Sequence, residues 1–283
     1  MPVRAAGSDY ICDACPRRFP LVCGVPDFRL VADPYIGFDD DRKKAAHLFE
    51  AGRGRTFEDL VRHYYSITPE DPPDLAAQWT RHHLAEVAIA GHLLRTAGLS
   101  GGRGRVLLDL GCSTGGLVIA AAQANWQAVG IDVALRWLVI GAKRLDEAGL
   151  PITLVCANAE HLPFPDRSVD AVTGNDLLEH TSHPAAVLQE ASRVAREQGA
   201  AVFTANNRFA PLPEPQLRLW GVAQMPRRWQ AAYVAWRRPD VHPYRLRLPS
   251  ATELGKLMRG ANFGEVSVEA APLFAPHWPE GAA

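Results

Sequence analysis

The sequence predicts an α/β protein in which an open, mostly parallel sheet is covered by helices on both faces. Between residues 105 and 206, short apolar runs alternate with segments whose apolar residues recur at helical spacing. The short runs are apolar on both faces, which is typical of strands in a parallel sheet that is buried on both sides. With 283 residues and 47% hydrophobic side chains, the chain can bury a full core.

Composition limits the partners and the compartment. The 30 basic and 31 acidic residues give a net charge of -1, which argues against nucleic acid or an anionic membrane as a partner of the whole surface. The chain has no apolar stretch of about 18 residues and no signal-peptide core, so we expect a cytoplasmic protein without a membrane partner. Five cysteines are an odd number, which argues against a secreted disulfide framework. No pattern indicates an oligomeric state.

The spacing of apolar residues separates the sheet domain from the segments that precede it and from an insertion within it. Apolar residues in TFEDLVRHYYSI recur at helical spacing, and Thr56 is a suitable N-cap. A second helix is expected from about Asp74 to Thr96, ended by Gly98. The predicted parts are an extended ribbon at 1–38, a helical cap at 39–103 and a sheet domain at 104–283 with an insertion at 207–250.

The sheet domain is expected to follow a regular order of strands and helices. The predicted strands are residues 105–110, 127–132, 152–157, 169–175 and 200–206. The predicted helices between them are residues 115–124, 134–149 and 183–199. A further helix at 250–263 and a strand at 264–271 are expected near the end of the chain. Ligands of such sheets bind beyond the carboxyl ends of the strands, where the strand order reverses.

The loop after the first strand restricts the ligand. Residues 106–116 read VLLDLGCSTGG and place Asp109 two residues before Gly111. A dinucleotide needs G-x-G-x-x-G, and its pyrophosphate would be repelled by Asp109. S-adenosylmethionine (SAM) has no phosphate and carries a sulfonium and an ammonium, so an acid beside the loop is compatible with it. Asp132, at the end of the second strand, can accept hydrogen bonds from both ribose hydroxyls.

Four segments resemble the class I SAM-dependent methyltransferases over residues 104–207: LLDLGCSTGG, VGIDVA, CANAEHLPFPDRSVDAV and NDLLEHTSHP. The resemblance implies a Rossmann-like sheet of about seven mostly parallel strands, SAM as cofactor and S-adenosylhomocysteine as product. It also implies a closing antiparallel strand pair, for which the end of this chain is a poor match. The cofactor-binding residues that it implies are Asp109, Gly111, Cys112, Ser113, Gly115, Asp132, Val133, Asn158, Ala159, Asn175 and Asp176.

The resemblance assigns these residues to parts of the cofactor. Asp109, Gly111 and Gly115 are expected on the methionine side, and Asp132 at the ribose. Asn158 and Ala159 are expected beside the adenine, while Asn175 and Asp176 lie towards the methionine end. Ser113 stands where the family usually has glycine, so a positive φ there would carry strain. Asn158 replaces the usual aspartate, and its oxygen can still accept from the adenine amino group.

Methyl transfer needs alignment of the acceptor and, for a hydroxyl acceptor, removal of a proton. The candidate bases follow the fourth strand: Asp176, Glu179, His180 and His183. We predict His180 as the catalytic residue because a neutral imidazole is available near pH 7. A structural role for His180 in tying down the loop is the alternative.

The insertion at 207–250 is longer than a connecting loop needs to be, so part of it is expected to wall the acceptor site. Pro226 can open a helix in which Trp229, Tyr233 and Trp236 form one stripe flanked by arginines. The stripe indicates either a lid that stacks on a sugar or planar acceptor, or aromatic residues buried against the sheet. We favour the buried arrangement.

The N-terminal stretch YICDACPRRFPLVCGVPDFR resembles the second half of a zinc ribbon that precedes some methyltransferases. A structural zinc needs four ligands, and the first knuckle of the ribbon is missing. Cys12, Cys15 and Cys23 with one histidine are an alternative zinc site. We predict instead a remnant without metal, whose VPDFR strand packs on the main domain.

Three classes of function remain open from the sequence. The first is a SAM-dependent methyltransferase that modifies a small molecule or glycan, as in natural product or carbohydrate modification, at a hydroxyl. The second is an RNA or protein methyltransferase, suggested by the ribbon and the arginines of the insertion. The third is a SAM-binding protein with chemistry other than methyl transfer.

Overall fold

The N-terminal part is a small antiparallel sheet in this computed structural model, which describes residues 3–7, 9–13, 16–214, 216–241 and 247–270. Its strands pair in sequence order, and they are β1 (Val3–Ala6), β2 (Asp9–Cys12), β3 (Arg18–Val22) and β4 (Val25–Pro26). Asp27 forms a parallel bridge with Cys156 of the main sheet, so the predicted packing of VPDFR on that domain is confirmed.

Two of the three N-terminal cysteines lie within the described residues. Cys12 is buried in β2, and Cys23 lies in the turn between β3 and β4 with φ of 51°. Cys15 lies outside the described residues. Among the residues that are described, no group of three or more His, Cys, Asp or Glu side chains is placed to hold a metal ion. The metal-free remnant stays a prediction.

The helical cap follows as α1 (Phe38–Ala51), α2 (Phe57–Ser66) and α3 (Pro73–Thr96). The predicted N-cap of α2 is confirmed, because Thr56 Oγ1 accepts a hydrogen bond from the Asp59 N–H. The apolar face of α2 is buried as its spacing predicts, with Phe57, Leu60, Val61 and Tyr64 inside. No helix in the described part of the chain is both long enough and apolar enough to span a bilayer.

The main domain contains five parallel strands in the order β7-β6-β5-β8-β9, which confirms the predicted fold class. Its elements in chain order are β5 (Val106–Leu110), α4 (Gly116–Gln123), β6 (Gln127–Asp132), α5 (Leu135–Glu147), β7 (Leu154–Cys156), β8 (Val169–Asn175), α6 (Pro184–Val194) and β9 (Ala195–Thr204). The chain moves outward from β5 in one direction through β6 and returns to the other side of β5 at β8. The strand order therefore reverses between β5 and β8, where a ligand crevice is expected.

Alternating strand residues divide the core between the two faces of the sheet. Leu107 packs in the larger cluster with α1 to α5, whereas Leu108 and Leu110 pack in a second cluster with α6. Both faces of β5 are thus covered by helices, which explains why this strand is apolar throughout.

The insertion forms the helix α7 (Arg227–Arg237), which Pro226 precedes as predicted. The prediction that the aromatic stripe is buried on the sheet is wrong, because Trp229 is 54% and Trp236 is 74% exposed. The buried face of α7 instead carries Val234, which packs with Leu75 of α3. The helix rests on the helical cap rather than on the sheet, so the tryptophans face solvent.

The end of the chain differs from the prediction. The helix α8 (Ala251–Gly260) forms and has the expected cap, since Ser250 and Glu253 make a reciprocal capping box. Residues 264–270 do not form the predicted strand, and residues 271–283 are outside the described part. Val268 lies beside α8, where a Cβ added to Gly255 would be 3.3 Å from its Cγ2. The described sheet therefore has five strands, against the expected seven or so.

The boundary between α6 and β9 also differs. The predicted helix at 183–199 ends at Val194, and β9 starts directly at Ala195. Ala195 has an extended backbone, with ψ of 139°. Arg196 pairs with Asp170 of the neighbouring strand, which brings this polar stretch to the sheet. The helical pattern therefore continues for five residues beyond the actual helix.

Candidate functional site

The loop between β5 and α4 turns tightly through three residues with positive φ: 71° at Gly111, 50° at Ser113 and 74° at Gly115. Glycine suits the positive φ at position 111, where an added Cβ would also lie 2.9 Å from Leu177 Cδ1. Ser113, which stands where the family usually has glycine, does adopt a positive φ. Such a conformation costs a non-glycine residue about 1–2 kcal/mol.

Hydrogen bonds hold this loop against the end of β6. The Cys112 N–H donates to Ile131 O at 2.9 Å, and the Ser113 N–H donates to Asp132 Oδ2 at 2.9 Å. The other carboxylate oxygen, Oδ1, accepts from the Ala134 N–H at 2.8 Å. Each oxygen of Asp132 keeps a second lone pair, so the carboxylate can still accept from two ligand hydroxyls. Burial raises the pKa of the Cys112 thiol, which makes it a neutral packing residue.

Two carboxyl groups beside the loop have raised pKa values. Asp109 is 3% exposed and accepts a hydrogen bond from Thr173 Oγ1 at 2.8 Å. Burial, helped by the charges of Glu86 and Asp132, raises the pKa of Asp109 to about 8. Burial also raises the pKa of Asp132 to about 6, although the two backbone hydrogen bonds oppose it. Ionising both groups is therefore unfavourable without a nearby cation.

These features fit the cofactor that the resemblance implies. Within the part of the chain that the structure describes, neither Asp109 nor Asp132 forms an ion pair with lysine or arginine. A ligand with a sulfonium and an ammonium would supply that missing positive charge, while a pyrophosphate would add to the repulsion. The open lone pairs of Asp132 suit the ribose diol, and the glycine turn leaves room for close approach.

The adenine side departs from the sequence-based expectation. Asn158 is buried, and its Oδ1 accepts from the Leu30 N–H at 2.8 Å and the Val31 N–H at 3.1 Å. Because both lone pairs of this oxygen are used, the predicted hydrogen bond from the adenine amino group has no acceptor there. Val133 O accepts from Arg29 Nη1 at 2.9 Å, and Ala159 is half-buried.

Polar groups at the end of β8 lie together, and the resemblance assigns them to the methionine end of the cofactor. Thr204 Oγ1 donates to Asn175 Oδ1 at 2.6 Å, and Asn206 Nδ2 donates to Asp176 Oδ1 at 3.3 Å. Burial raises the pKa values of the neighbouring Asp176 and Glu179 carboxyl groups. Glu179 Oε2 is buried and has no hydrogen-bond partner among the described residues.

His180 lies in a short 3-10 turn after β8 and meets the insertion. Its Nε2 is 3.0 Å from the side-chain nitrogen of Gln216, which donates to Nε2 in the tautomer that carries its proton on Nδ1. Burial lowers the pKa of His180 to about 4, which keeps the ring neutral near pH 7. To act as a general base through Nε2, His180 would have to lose the hydrogen bond with Gln216 and accept one from the substrate hydroxyl instead. The catalytic role of His180 stays a prediction.

One cluster near the loop was not anticipated from the sequence. Glu86 of α3 accepts from Thr114 Oγ1 at 2.5 Å and from Arg144 Nη1 at 2.7 Å, and His83 Nδ1 lies 2.8 Å from its other oxygen. These partners lower the pKa of Glu86 to about 2 despite its burial. The helical pattern of α3 indicates a buried face but does not reveal which residues face the loop. The cluster ties the helical cap to the start of α4.

A cavity of about 450 Å³ opens between α6 and α8, next to the turn that carries His180. Its walls combine apolar and cationic side chains. The residues that line it are Leu178, Thr181, Pro184, Ala185, Arg227, Arg247, Pro249, Glu253, Lys256, Leu257 and Gly260.

Known proteins resemble this chain over the same region. A family model described as a methyltransferase domain matches residues 108–203. A ubiquinone biosynthesis O-methyltransferase of Paracidovorax citrulli is 36% identical over 118 residues, which are 40% of this chain and 48% of the relative. Another from Chromobacterium violaceum is 31% identical over 163 residues, which are 57% of this chain and 65% of the relative.

Among solved structures, a SAM-dependent methyltransferase of Thermotoga maritima is 21% identical, with a TM-score of 0.47 over 74% of this chain and 80% of that one. The chain spans about half to two thirds of the length of the curated relatives above. The family match covers β5 to β9, the strands that carry the loop, Asp132 and the residues after β8. Residues 108–203 therefore match a methyltransferase domain, which supports S-adenosylmethionine as the cofactor.

Proposed function

We propose that the protein transfers a methyl group from SAM to a hydroxyl group of a small molecule. The observation that carries this proposal is that two carboxyl groups, the buried Asp109 and the half-buried Asp132, flank a glycine turn. Neither forms an ion pair with a lysine or arginine among the described residues. Such a site favours a cationic nucleoside.

The relatives and the cavity support this class of acceptor. The relatives are named for ubiquinone biosynthesis, which supports a phenolic hydroxyl on an aromatic small molecule as the acceptor. The cavity between α6 and α8 offers Leu178 and Leu257 for an apolar group, and Arg247 and Lys256 for an anionic substituent. A glycan is the alternative acceptor that the sequence leaves open, and the experiment below therefore includes sugars.

The chain's own residues have mainly to bind and orient the reactants. The cofactor supplies a methyl group on a positively charged sulfur, which makes the methyl carbon electrophilic. Asp132 would hold the ribose, and the turn from Gly111 to Gly115 would set the position of the methionine part. His180 would accept the hydroxyl proton at Nε2 in place of the Gln216 hydrogen bond. Alignment supplies the larger part of the rate.

Product formation tests the proposal directly. Purified protein is incubated with SAM and separate panels of phenols, amines, carboxylic acids and sugars, and S-adenosylhomocysteine is measured by mass spectrometry. We expect it to accumulate in equal amount with a methylated phenol. SAM binding without S-adenosylhomocysteine in any panel would favour the alternative of chemistry other than methyl transfer.

Replacing His180 with glutamine should lower kcat by about 100-fold, because a positioned general base contributes roughly 10²- to 10⁴-fold. The affinity for S-adenosylhomocysteine should stay unchanged. The matched control is His183→Gln, which alters an exposed imidazole of the same loop and should change kcat less than about threefold. Equal kcat values in the two variants would assign His180 a structural role.

Cofactor affinity should rise with pH because the pKa of Asp132 is raised to about 6. Below that pH the carboxyl group is mostly protonated and offers fewer acceptors to the ribose. We expect the affinity for S-adenosylhomocysteine to increase by about tenfold between pH 5 and pH 7, measured by calorimetry. Asp132→Asn, which cannot ionise, serves as the control and should remove this increase. A parallel increase in that variant would place the titrating group elsewhere.

RNA is a second candidate acceptor, because the insertion exposes tryptophans next to arginines. Arg228 and Arg237 lie over the rings of Trp229 and Trp236, at 5.0 and 5.6 Å from the ring centroids. Exposed tryptophans beside arginines suit stacking on unpaired bases. Binding to single-stranded RNA that weakens steeply as salt increases would favour this candidate over a small molecule.

A further inference from the structure

The segment after β4 runs along the carboxyl end of β7. The Phe28 N–H donates to Cys156 O at 2.7 Å, next to the bridge between Asp27 and Cys156. The segment therefore extends the edge of the main sheet, although it belongs to the N-terminal ribbon. It reaches the loop that the methyltransferase resemblance assigns to the adenine.

One buried side chain binds the backbone of this segment at three points. Asn158 Oδ1 accepts from Leu30 and Val31, and Asn158 Nδ2 donates to Val31 O at 3.0 Å. A carboxamide is suited to this task because it both accepts and donates, whereas an aspartate would repel the Val31 carbonyl. This contact explains why asparagine occupies position 158.

A buried arginine attaches the same segment to α1 by an ion pair and to the residue after β6 by a hydrogen bond. Arg29 has a fully buried side chain that donates to Asp27 Oδ1 at 2.9 Å, to Asp41 Oδ2 at 2.6 Å and to Val133 O at 2.9 Å. Val133 directly follows Asp132, the predicted ribose ligand. The segment thus spans from the adenine loop to the ribose loop and is held at both.

The side chains of the segment are exposed although its backbone is fixed. Leu30 is 37% and Val31 is 60% exposed, next to the buried Asn158. A planar base that lay against these two aliphatic side chains would remove their apolar surface from water, which would favour binding.

We propose that residues 28–33 form the adenine-side wall of the cofactor site, and that Asn158 is a positioning residue that holds this wall rather than a hydrogen-bond partner of adenine. This inference rests on the proposed function, because it requires that SAM binds at the end of β6. It gives the N-terminal ribbon a role in cofactor binding without a metal ion.

Calorimetry with two ligands separates this role from direct recognition. S-adenosylhomocysteine carries the adenine amino group, and S-inosylhomocysteine lacks it. Asn158→Ala should weaken both ligands by about tenfold, so that the ratio of their affinities stays within about twofold of the wild-type ratio. A ratio that falls to one in the variant would overturn the inference and make Asn158 the partner of the amino group. Wild-type protein that binds neither ligand would overturn the proposed function itself.

A second variant tests the wall without touching Asn158. Val31→Ser changes a side chain that is 60% exposed, so the fold should tolerate it, and we expect about threefold weaker binding of S-adenosylhomocysteine. Val268→Ser, at a valine that is 40% exposed beside α8, is the matched control and should bind like wild type. Hydrogen exchange should slow at the amides of residues 30–33 when the ligand is added. Unchanged affinity in Val31→Ser together with unchanged exchange would exclude the wall.

Discussion

Replacing Asp41 with alanine should lower the free energy of unfolding by about 3 kcal/mol, since removing one partner of a buried ion pair leaves its charges uncompensated. Asp41 is fully buried, and it accepts from Arg29 Nη1 at 2.6 Å and from Arg136 Nη1 at 2.9 Å. It also accepts from the Leu135 N–H at 3.0 Å, at the start of α5. Asp27 and Asp33 still pair with the two arginines, which places the loss at the lower end of the usual range.

Urea unfolding measures this change. Asp40→Ala is the control, because Asp40 neighbours Asp41 on α1 but, in the described part of the chain, forms an ion pair only with the exposed Lys43, at 3.3 Å. That pair should contribute less than about 1 kcal/mol. Similar unfolding midpoints for the two variants would contradict the importance of the buried network.

Replacing Asp132 with alanine should weaken the affinity for S-adenosylhomocysteine by about 1–3 kcal/mol, or roughly 5- to 150-fold. The carboxylate of Asp132 retains a free lone pair on each oxygen after accepting from Ser113 and Ala134. Hydrogen bonds from the ribose to an ionised acceptor are stronger than those between neutral groups. Calorimetry at pH 7.5, above the pKa of about 6, measures the effect with the carboxyl group ionised.

The control for Asp132 removes the same charge elsewhere. Asp166 is 73% exposed and pairs with Arg193 at 2.7 Å, so Asp166→Ala should leave cofactor affinity within about twofold. The melting temperature of both variants reports whether the loop still folds. Wild-type affinity in a folded Asp132→Ala protein would remove Asp132 from the site.

The sheet and the first loop were predictable because their signals are local. A strand that is apolar on both faces, such as β5, can be recognised without knowing its neighbours. The turn from Gly111 to Gly115 has positive φ at alternate positions, and glycine at two of the three indicates that conformation directly. Asp109 lies two residues before Gly111, and Asp132 is the last residue of the next strand, so both can be located from the same sequence features.

Other features depend on which elements meet in space. The aromatic stripe of α7 has the spacing of a buried face, but the α7 side chain that is buried next to α3 is Val234. The resemblance placed Asn158 at the adenine, and no local signal links it to Leu30 and Val31, which are 128 and 127 residues away. Glu86 could be placed on a helix but not against Thr114.

The amino-acid order alone therefore specifies the parallel sheet, its glycine turn and the two acidic side chains that favour SAM over a dinucleotide, since each is encoded within a few neighbouring residues. Folding adds the partners of Asn158, the ion pairs around Asp41 and the outward tryptophans. Those contacts join segments that are distant along the chain, and the burial of one side chain rather than another depends on how well whole helices fit together.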